Sequence, residues 1–227
     1  ILLRFKYNMS PPLYRQWCNL ERNRIMKIHK YKDYNEYRQK QIDANVRKLD
    51  RIWVDKNSLT KVIEYLHKDL KIIPSFILCH GTRKGDEQQY FLDYFANENI
   101  NVDVLGTEIS HTAKDFPNTI EWDFHEVKDE WLRNTDIIYS NSFDHSIFPT
   151  KCLDTWMSCL KKDGVCVIEY KSCETDPFGA TYDEYVDMIQ SEYEIVKVIH
   201  NKGMKDSAHA ILEGKRYYFI IKNKEVK

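Results

Sequence analysis

No stretch of the chain approaches the ~20 consecutive apolar residues of a bilayer-spanning helix, and no membrane partner is expected. G-x-S-x-G, P-loop and protein-kinase motifs are missing, which argues against those hydrolase and phosphoryl-transfer classes. The six cysteines (Cys18, Cys79, Cys152, Cys159, Cys166, Cys173) include no CxxC pair. They lie mostly in apolar stretches, so buried free thiols are expected rather than a zinc or disulfide framework. His111, His125, His200 and His209 lack HxxxH spacing, and no metal is predicted. Residues 1–6 are too short and too basic for a signal peptide, which makes the cytoplasm the default location. A start at Ile1 rather than at an initiator methionine points to a chain cut from a longer one.

What is present is the composition of a folded, water-exposed chain: 42% hydrophobic and 30% charged over 227 residues. That length suits one α/β domain with an appendage. The net charge of -1 is unevenly spread, because residues 1–53 carry 13 Lys and Arg against 5 Asp and Glu, leaving about -9 for the remainder. A basic extension over residues 1–55 therefore precedes an acidic domain over 56–227. The extension could engage nucleic acid through residues 1–53, or pair with the domain's own acids. Pro11-Pro12 mark an irregular lead-in, with one helical turn over 13–20. Tyr31, Tyr34, Tyr37, Ile42 and Val46 recur at spacings that suit one or two amphipathic helices between 21 and 49. Tyrosines among basic residues can stack on bases, or form the half-buried face of a docking helix. Asn57-Ser58-Leu59-Thr60 offers a cap for a helix running to about residue 70.

The chain is organised around residues 74–91. The apolar run 76–79 is bounded by Pro74 and by glycines and reads as a buried strand. Gly81 and Gly85 supply a turn that a ligand can approach closely, and a helix follows over 86–95 with Asp86 and Glu87 in its first turn. Strand, glycine turn and helix form the opening unit of a doubly wound domain, which binds nucleotide-like ligands at the carboxyl ends of its strands. A second strand over 100–105 leads to Gly106-Thr107-Glu108, and Glu108 is placed to accept both hydroxyls of a ribose, or is a surface acid at a strand end. A third strand over 118–124 carries Asp123 and Phe124, suited to an adenine amine and ring, or to a strand-end acid beside a core aromatic. A fourth spans 136–142, a helix 150–160, a turn 161–164, a fifth strand 165–170 and a helix 182–189. Two last strands, 193–200 and 216–222, have no helix between them and predict an antiparallel hairpin at the sheet edge.

Residues 60–224 then resemble the class I S-adenosylmethionine-dependent methyltransferases. The likeness rests on Glu108, on Asp123 and on the segment TDIIYSNSFDHSIFPTKCLDTWMSCLKKDGVCVIEY over 135–170. It implies a mostly parallel, seven-stranded Rossmann-like sheet with an antiparallel terminal hairpin. It also implies S-adenosyl-L-methionine as cofactor and methyl transfer to an oxygen or nitrogen atom of a small-molecule or sugar acceptor. The family's acid followed by GxGxG is replaced here by Cys79-His80-Gly81-Thr82-Arg83-Lys84-Gly85, which lacks the acid and the middle glycine. Under the resemblance the cofactor is held by His80, Gly81, Thr82, Arg83, Gly85 and Glu87 at its amino-acid end. Glu108 and Ile109 take the ribose, Asp123 and Phe124 the adenine, and Asn141 and Ser142 line the pocket. Arg83 can pair with the cofactor carboxylate in a two-pronged fit, or be a solvated loop charge. Transfer to a hydroxyl or protonated amine needs a base, and Asp144 and His145 are the candidates, His145 being equally suited to packing or capping. Other readings are a nucleic-acid methyltransferase gripping phosphates with the basic extension, a nicotinamide-dependent oxidoreductase, and a non-catalytic relic. The oxidoreductase lacks its GxGxxG.

Overall fold

A strand covered on both faces shows no polar alternation, and that is why residues 76–79 read as one apolar run. The structure is a computed structural model, described over residues 26–171, 177–201 and 216–225. In chain order it comprises β1 (Lys27–Ile28), α1 (Tyr34–Arg47), α2 (Lys56–Glu64), β2 (Phe76–His80), α3 (Asp86–Asn97), β3 (Asp103–Glu108), β4 (Thr119–Glu121) and β5 (Thr135–Ser140). There follow α4 (Pro149–Cys159), β6 (Leu160–Lys171), β7 (Phe178–Gly179), α5 (Tyr182–Glu192), β8 (Tyr193–Asn201) and β9 (Arg216–Asn223). The expected lead-in with Pro11-Pro12, Cys18, Cys173, His209 and the connection 202–214 lie outside the described residues.

Seven strands form one sheet in the order β4-β3-β2-β5-β6-β9-β8, parallel except where β9 pairs antiparallel with β6 and β8. Alternate side chains feed two cores. Leu78, Ile138 and Cys166 face Leu153, Trp156 and Met157 of α4 and Tyr185, Met188 and Ile189 of α5. Ile77, Cys79, Ile137 and Val165 face Leu59, Val62 and Ile63 of α2 and Phe91 and Phe95 of α3. The doubly wound sheet and its terminal hairpin match the sequence expectation, with β9 inserted between β6 and β8 so that β8 is the edge. Cys79, Cys152, Cys159 and Cys166 are buried free thiols. No helix among the described residues is long and apolar enough to cross a membrane.

Several boundaries differ from expectation for local reasons. The helix expected over 21–49 begins at Tyr34, because the Asp33 side chain accepts from Glu36 N at 2.9 Å and caps it. Residues 27–28 instead pair with β7, and Val46 is exposed rather than on the docking face. The cap of α2 is Asp55, which accepts from Ser58 N at 2.8 Å, not Asn57 or Ser58. A wider π turn over Tyr65–Asp69 carries that helix on, with Leu70 N bonded to Tyr65 O at 3.1 Å. The turn at 161–164 is a bulge inside β6, where the register against β5 jumps between Thr135 and Ile137. Gly106 and Thr107 belong to β3, so Glu108 is the last residue of that strand.

Within the described part of the basic extension, which starts at residue 26, α1 docks on the domain. Tyr37 is buried with Ile147 and Phe148, and the Tyr34 ring stacks on Phe148 with centroids 6.0 Å apart. Arg38 pairs with Glu121 at 3.1 Å, and the Thr112 hydroxyl donates to Asn45 Oδ1 at 3.1 Å. Helix α1 thus lies across the carboxyl ends of β3 and β4.

Candidate functional site

β2 lies at the point where the sheet order reverses, with β3 and β4 to one side and β5 to the other. Just beyond it, the chain must turn sharply to start α3. Gly81 and Gly85 adopt φ of +72° and +85°, and Arg83 between them also takes a positive φ, +50°. Gly81 N and Thr82 N both donate to Thr107 O, at 2.8 and 3.1 Å, folding the turn onto the end of β3. On the other flank Ser142 Oγ donates to Gly81 O at 3.0 Å, and Ser140 Oγ to His80 O at 2.9 Å. A Cβ on Gly81 would come within 2.6 Å of Ser142 Cβ, so glycine is required by space as well as by φ.

Glu108 is buried and accepts Arg83 N at 3.0 Å and Ser110 N at 3.2 Å, one on each carboxylate oxygen. Burial raises its pKa, and these N–H groups partly offset the rise. Glu87, in the first turn of α3, is also buried. Asn141 Nδ2 donates to its Oε1 at 3.1 Å, while its Oε2 has no hydrogen-bond partner among the described residues. Burial pushes the Glu87 carboxyl up to about 8. Asp123 accepts from the Tyr34 hydroxyl and, on its other oxygen, from His125 N at 3.0 Å and His125 Nδ1 at 2.8 Å. Burial alone would raise its pKa, but the His125 charge and these hydrogen bonds outweigh burial and hold it well below the usual carboxylate range.

Above these groups lies a crevice of two joined hollows. The first, with a cavity volume of about 60 Å³, is floored by Glu108, Ile109, Asp123 and Phe124 and roofed by Tyr37, Gln41, Ala44, Asn45 and Lys48. The second, also of about 60 Å³, is floored by Thr82, Glu87 and Asn141, with Lys48, Arg51, Trp53 and Lys171 near its mouth. Gly81, Arg83, Ser142, His145 and Lys48 border both. His145 therefore stands at the junction. Its Nδ1 is 2.9 Å from Gln41 Oε1, and its Nε2 is 3.9 Å from Asp144 Oδ1.

Eleven of the expected residues line this crevice: Gly81, Thr82, Arg83, Glu87, Glu108, Ile109, Asp123, Phe124, Asn141, Ser142 and His145. Three stand outside the lining. The His80 ring lies in the core, stacked on Trp156 at 4.7 Å, with Nδ1 2.8 Å from Thr107 Oγ1. Burial first, and the nearby His125 second, lower its pKa to about 3. Gly85 is the residue preceding α3, and a Cβ there would meet Gln88 at 3.2 Å. Asp144 lines neither hollow; its carboxylate lies 3.9 Å from His145 Nε2 and 3.5 Å from Lys171 Nζ.

Sequence reasoning missed the roof residues Gln41, Ala44, Asn45 and Lys48, and the mouth residues Arg51, Trp53 and Lys171. The spacing of Tyr34 and Tyr37 was the available signal for a docked α1. It also missed Gln88, whose Nε2 donates to Thr82 Oγ1 at 3.2 Å and to Thr119 Oγ1 at 3.0 Å. That amide occupies the space where a Cβ on Gly106 would lie, only 1.8 Å from its nitrogen.

No protein-family model matches the sequence, and no curated protein matches it. Solved structures do match the fold. A Burkholderia thailandensis 1,6-didemethyltoxoflavin-N1-methyltransferase, with 1,6-didemethyltoxoflavin and S-adenosylhomocysteine bound, superposes with a TM-score of 0.63 at 12% identity, over 96% of this chain and 92% of its own. The N-methyltransferase NodS from Bradyrhizobium japonicum, in complex with S-adenosylhomocysteine, gives 0.60 at 11% identity, over 82% and 99%. An S-adenosylmethionine-dependent methyltransferase from Clostridium acetobutylicum gives 0.56 at 10%, over 82% and 99%. The chain has the Rossmann-like fold of the class I S-adenosylmethionine-dependent methyltransferases.

Proposed function

We propose that the chain is an S-adenosylmethionine-dependent methyltransferase acting on an oxygen or nitrogen atom of a small-molecule acceptor. The observation that carries this reading is the two-armed crevice, with Glu108 in one arm, Glu87 and the Gly81 turn in the other, and His145 where they meet. A ligand with a sugar at one end and an amino acid at the other suits both arms. Two of the fold's solved neighbours carry S-adenosylhomocysteine, which is such a ligand.

The residues present fit it. Each Glu108 oxygen accepts one N–H from the chain and keeps lone-pair capacity for one ribose hydroxyl. Phe124 and Ile109 offer apolar surface to a base. The unpartnered Glu87 Oε2 suits the ammonium of the amino-acid end, supplying a carboxylate in a turn that lacks the family's acid. The Arg83 guanidinium suits its carboxylate.

The cofactor supplies an electrophilic methyl on a sulfonium; the chain's part is to align the acceptor and take a proton. With Gln41 Oε1 accepting from Nδ1–H, His145 keeps its lone pair on Nε2, where it receives the acceptor's proton. The imidazolium so formed faces Asp144 at 3.9 Å. Holding acceptor and methyl in line is the larger share of the work.

Isothermal titration with S-adenosylhomocysteine tests the proposal. Saturable binding with one site per chain is expected, and no binding at millimolar ligand would remove it.

A further inference from the structure

The two hollows are too small for the ligand that their walls suit. Each encloses about 60 Å³, room for a few waters, whereas pockets that bury a small ligand hold about 300–1,000 Å³. Either the floor or the roof must therefore move. The floor is fixed, because Glu108 ends a strand of the seven-stranded sheet and the glycine turn is bonded to Thr107 O at 2.8 and 3.1 Å.

The roof is held more lightly. Tyr34, Tyr37, Gln41 and Asn45 follow one another at three- and four-residue spacing, which puts them on the face of α1 turned toward the floor. Tyr37 is buried in a small cluster with Ile147 and Phe148, and among the described residues α1 contributes to neither of the two main cores. The polar ties of this helix run from the Tyr34 hydroxyl to Asp123, from the Tyr37 hydroxyl to His145 O at 2.9 Å and from Arg38 to Glu121 at 3.1 Å. Gln41 meets His145 at 2.9 Å, and Thr112 meets Asn45 at 3.1 Å. Water takes over such bonds when a helix lifts, so their net cost is small. An element with little buried apolar surface opens at a lower free energy than the core behind it. Both flanks stay tethered, by β1 on β7 and by α2 in its core.

We infer that α1 is a lid, which lifts from the carboxyl ends of β3 and β4 to admit the nucleoside and closes over it. This rests on the methyltransferase reading and deepens it, since one helix then serves both entry and catalysis. Lifting α1 takes Gln41 away from His145, and closing returns it, so the base is oriented only when the crevice is covered. Gln41 is in this sense a positioning residue carried by the lid.

Hydrogen exchange of the full chain, read by mass spectrometry with and without saturating S-adenosylhomocysteine, tests the inference. In the free chain the amides of 34–47 should exchange at least 100-fold faster than those of α4, and the nucleoside should slow them at least tenfold. Exchange of α1 as slow as that of α4 in the free chain, or unaffected by bound nucleoside, would overturn the lid and leave the methyltransferase reading standing. Arg38→Glu, at a position bordering neither hollow, sets two acids against each other, and Tyr34→Phe removes the bond to Asp123. At least one of them should quicken α1 exchange twofold or more, and the association rate of S-adenosylhomocysteine in stopped flow should rise by the same factor. Exchange unmoved by both variants, or an association rate that stays constant while α1 exchange quickens, would also overturn it. A chain whose α1 opens but which binds no S-adenosylhomocysteine would remove the parent reading, and the inference with it.

Discussion

The Glu108 carboxylate accepts the backbone N–H of Arg83 at 3.0 Å and so ties the end of β3 to the glycine turn after β2. One side chain thereby shapes the turn and presents its remaining lone pairs to the crevice. Glu108→Gln leaves one oxygen in place of two and sets an amide NH2 against a backbone N–H. Hydrogen bonds to a charged partner are worth about 1.5–3 kcal/mol, so S-adenosylhomocysteine should bind about 10–100-fold more weakly, as read by calorimetry. Unchanged affinity would show that no ribose sits at Glu108.

Glu87 couples the site to pH. Its folded pKa of about 8 lies above the ordinary 4.5, because burial disfavours the carboxylate. The stabilisation from holding its proton is complete below pH 4.5 and is lost as pH rises through about 8. Glu87→Gln carries no such loss, so its Tm should gain on the wild type steadily between pH 5 and pH 8.5. An arriving ammonium favours the ionised form, so nucleoside binding near pH 7 should release up to about one proton, measurable from heats in buffers of different ionisation enthalpy. The Gln variant should release none from this position. Parallel Tm curves for the two proteins would contradict the account.

His145 and Gln41 form a unit, with Nδ1 and Oε1 2.9 Å apart. His145→Ala should slow methyl transfer by about 10²–10⁴-fold, the range for a lost general base. Gln41→Leu leaves the imidazole but removes the acceptor that fixes its proton on Nδ1. Nitrogen-15 NMR of the ring should then show a mixture of tautomers where the wild type shows one. A single Nε2-protonated tautomer in the wild type would contradict the assignment of His145 as base.

Gly81 is held at φ +72° against Ser142. Gly81→Ala combines left-handed strain, about 1–2 kcal/mol, with a contact that forces the turn off Ser142. At roughly 2–4 °C per kcal/mol for a chain of this size, Tm should fall by about 2–8 °C, and nucleoside binding should weaken. Adding Ser142→Gly removes the contact but not the strain, so the double variant should recover part of the loss. No recovery would place the cost elsewhere.

The sheet was legible because its strands leave short apolar runs between turn residues, and because Glu108, Asp123 and the segment 135–170 fall in a recognisable order. The cleft floor followed from strand ends. Its roof followed only in part: the spacing of Tyr34 and Tyr37 suits a docked α1, but Asn45 meets the domain through a polar contact with Thr112, which leaves no hydrophobic period. Val46 fitted the apolar spacing and yet is exposed, whereas Tyr34 and Tyr37 dock. The mouth was illegible for a different reason. Arg51 and Trp53 sit in an irregular loop and Lys171 at a distant strand end, and no local spacing brings them together. His80 fitted a ligand turn by position but turns inward onto Trp156, a choice made by packing across the sheet.

Crystals of the chain grown with S-adenosylhomocysteine test the central claim most directly. The account predicts both ribose hydroxyls on Glu108, the ammonium on Glu87 and the sulfur beside His145. A nucleoside bound elsewhere, or a crevice that stays closed by α1 while the ligand is saturating in solution, would contradict it.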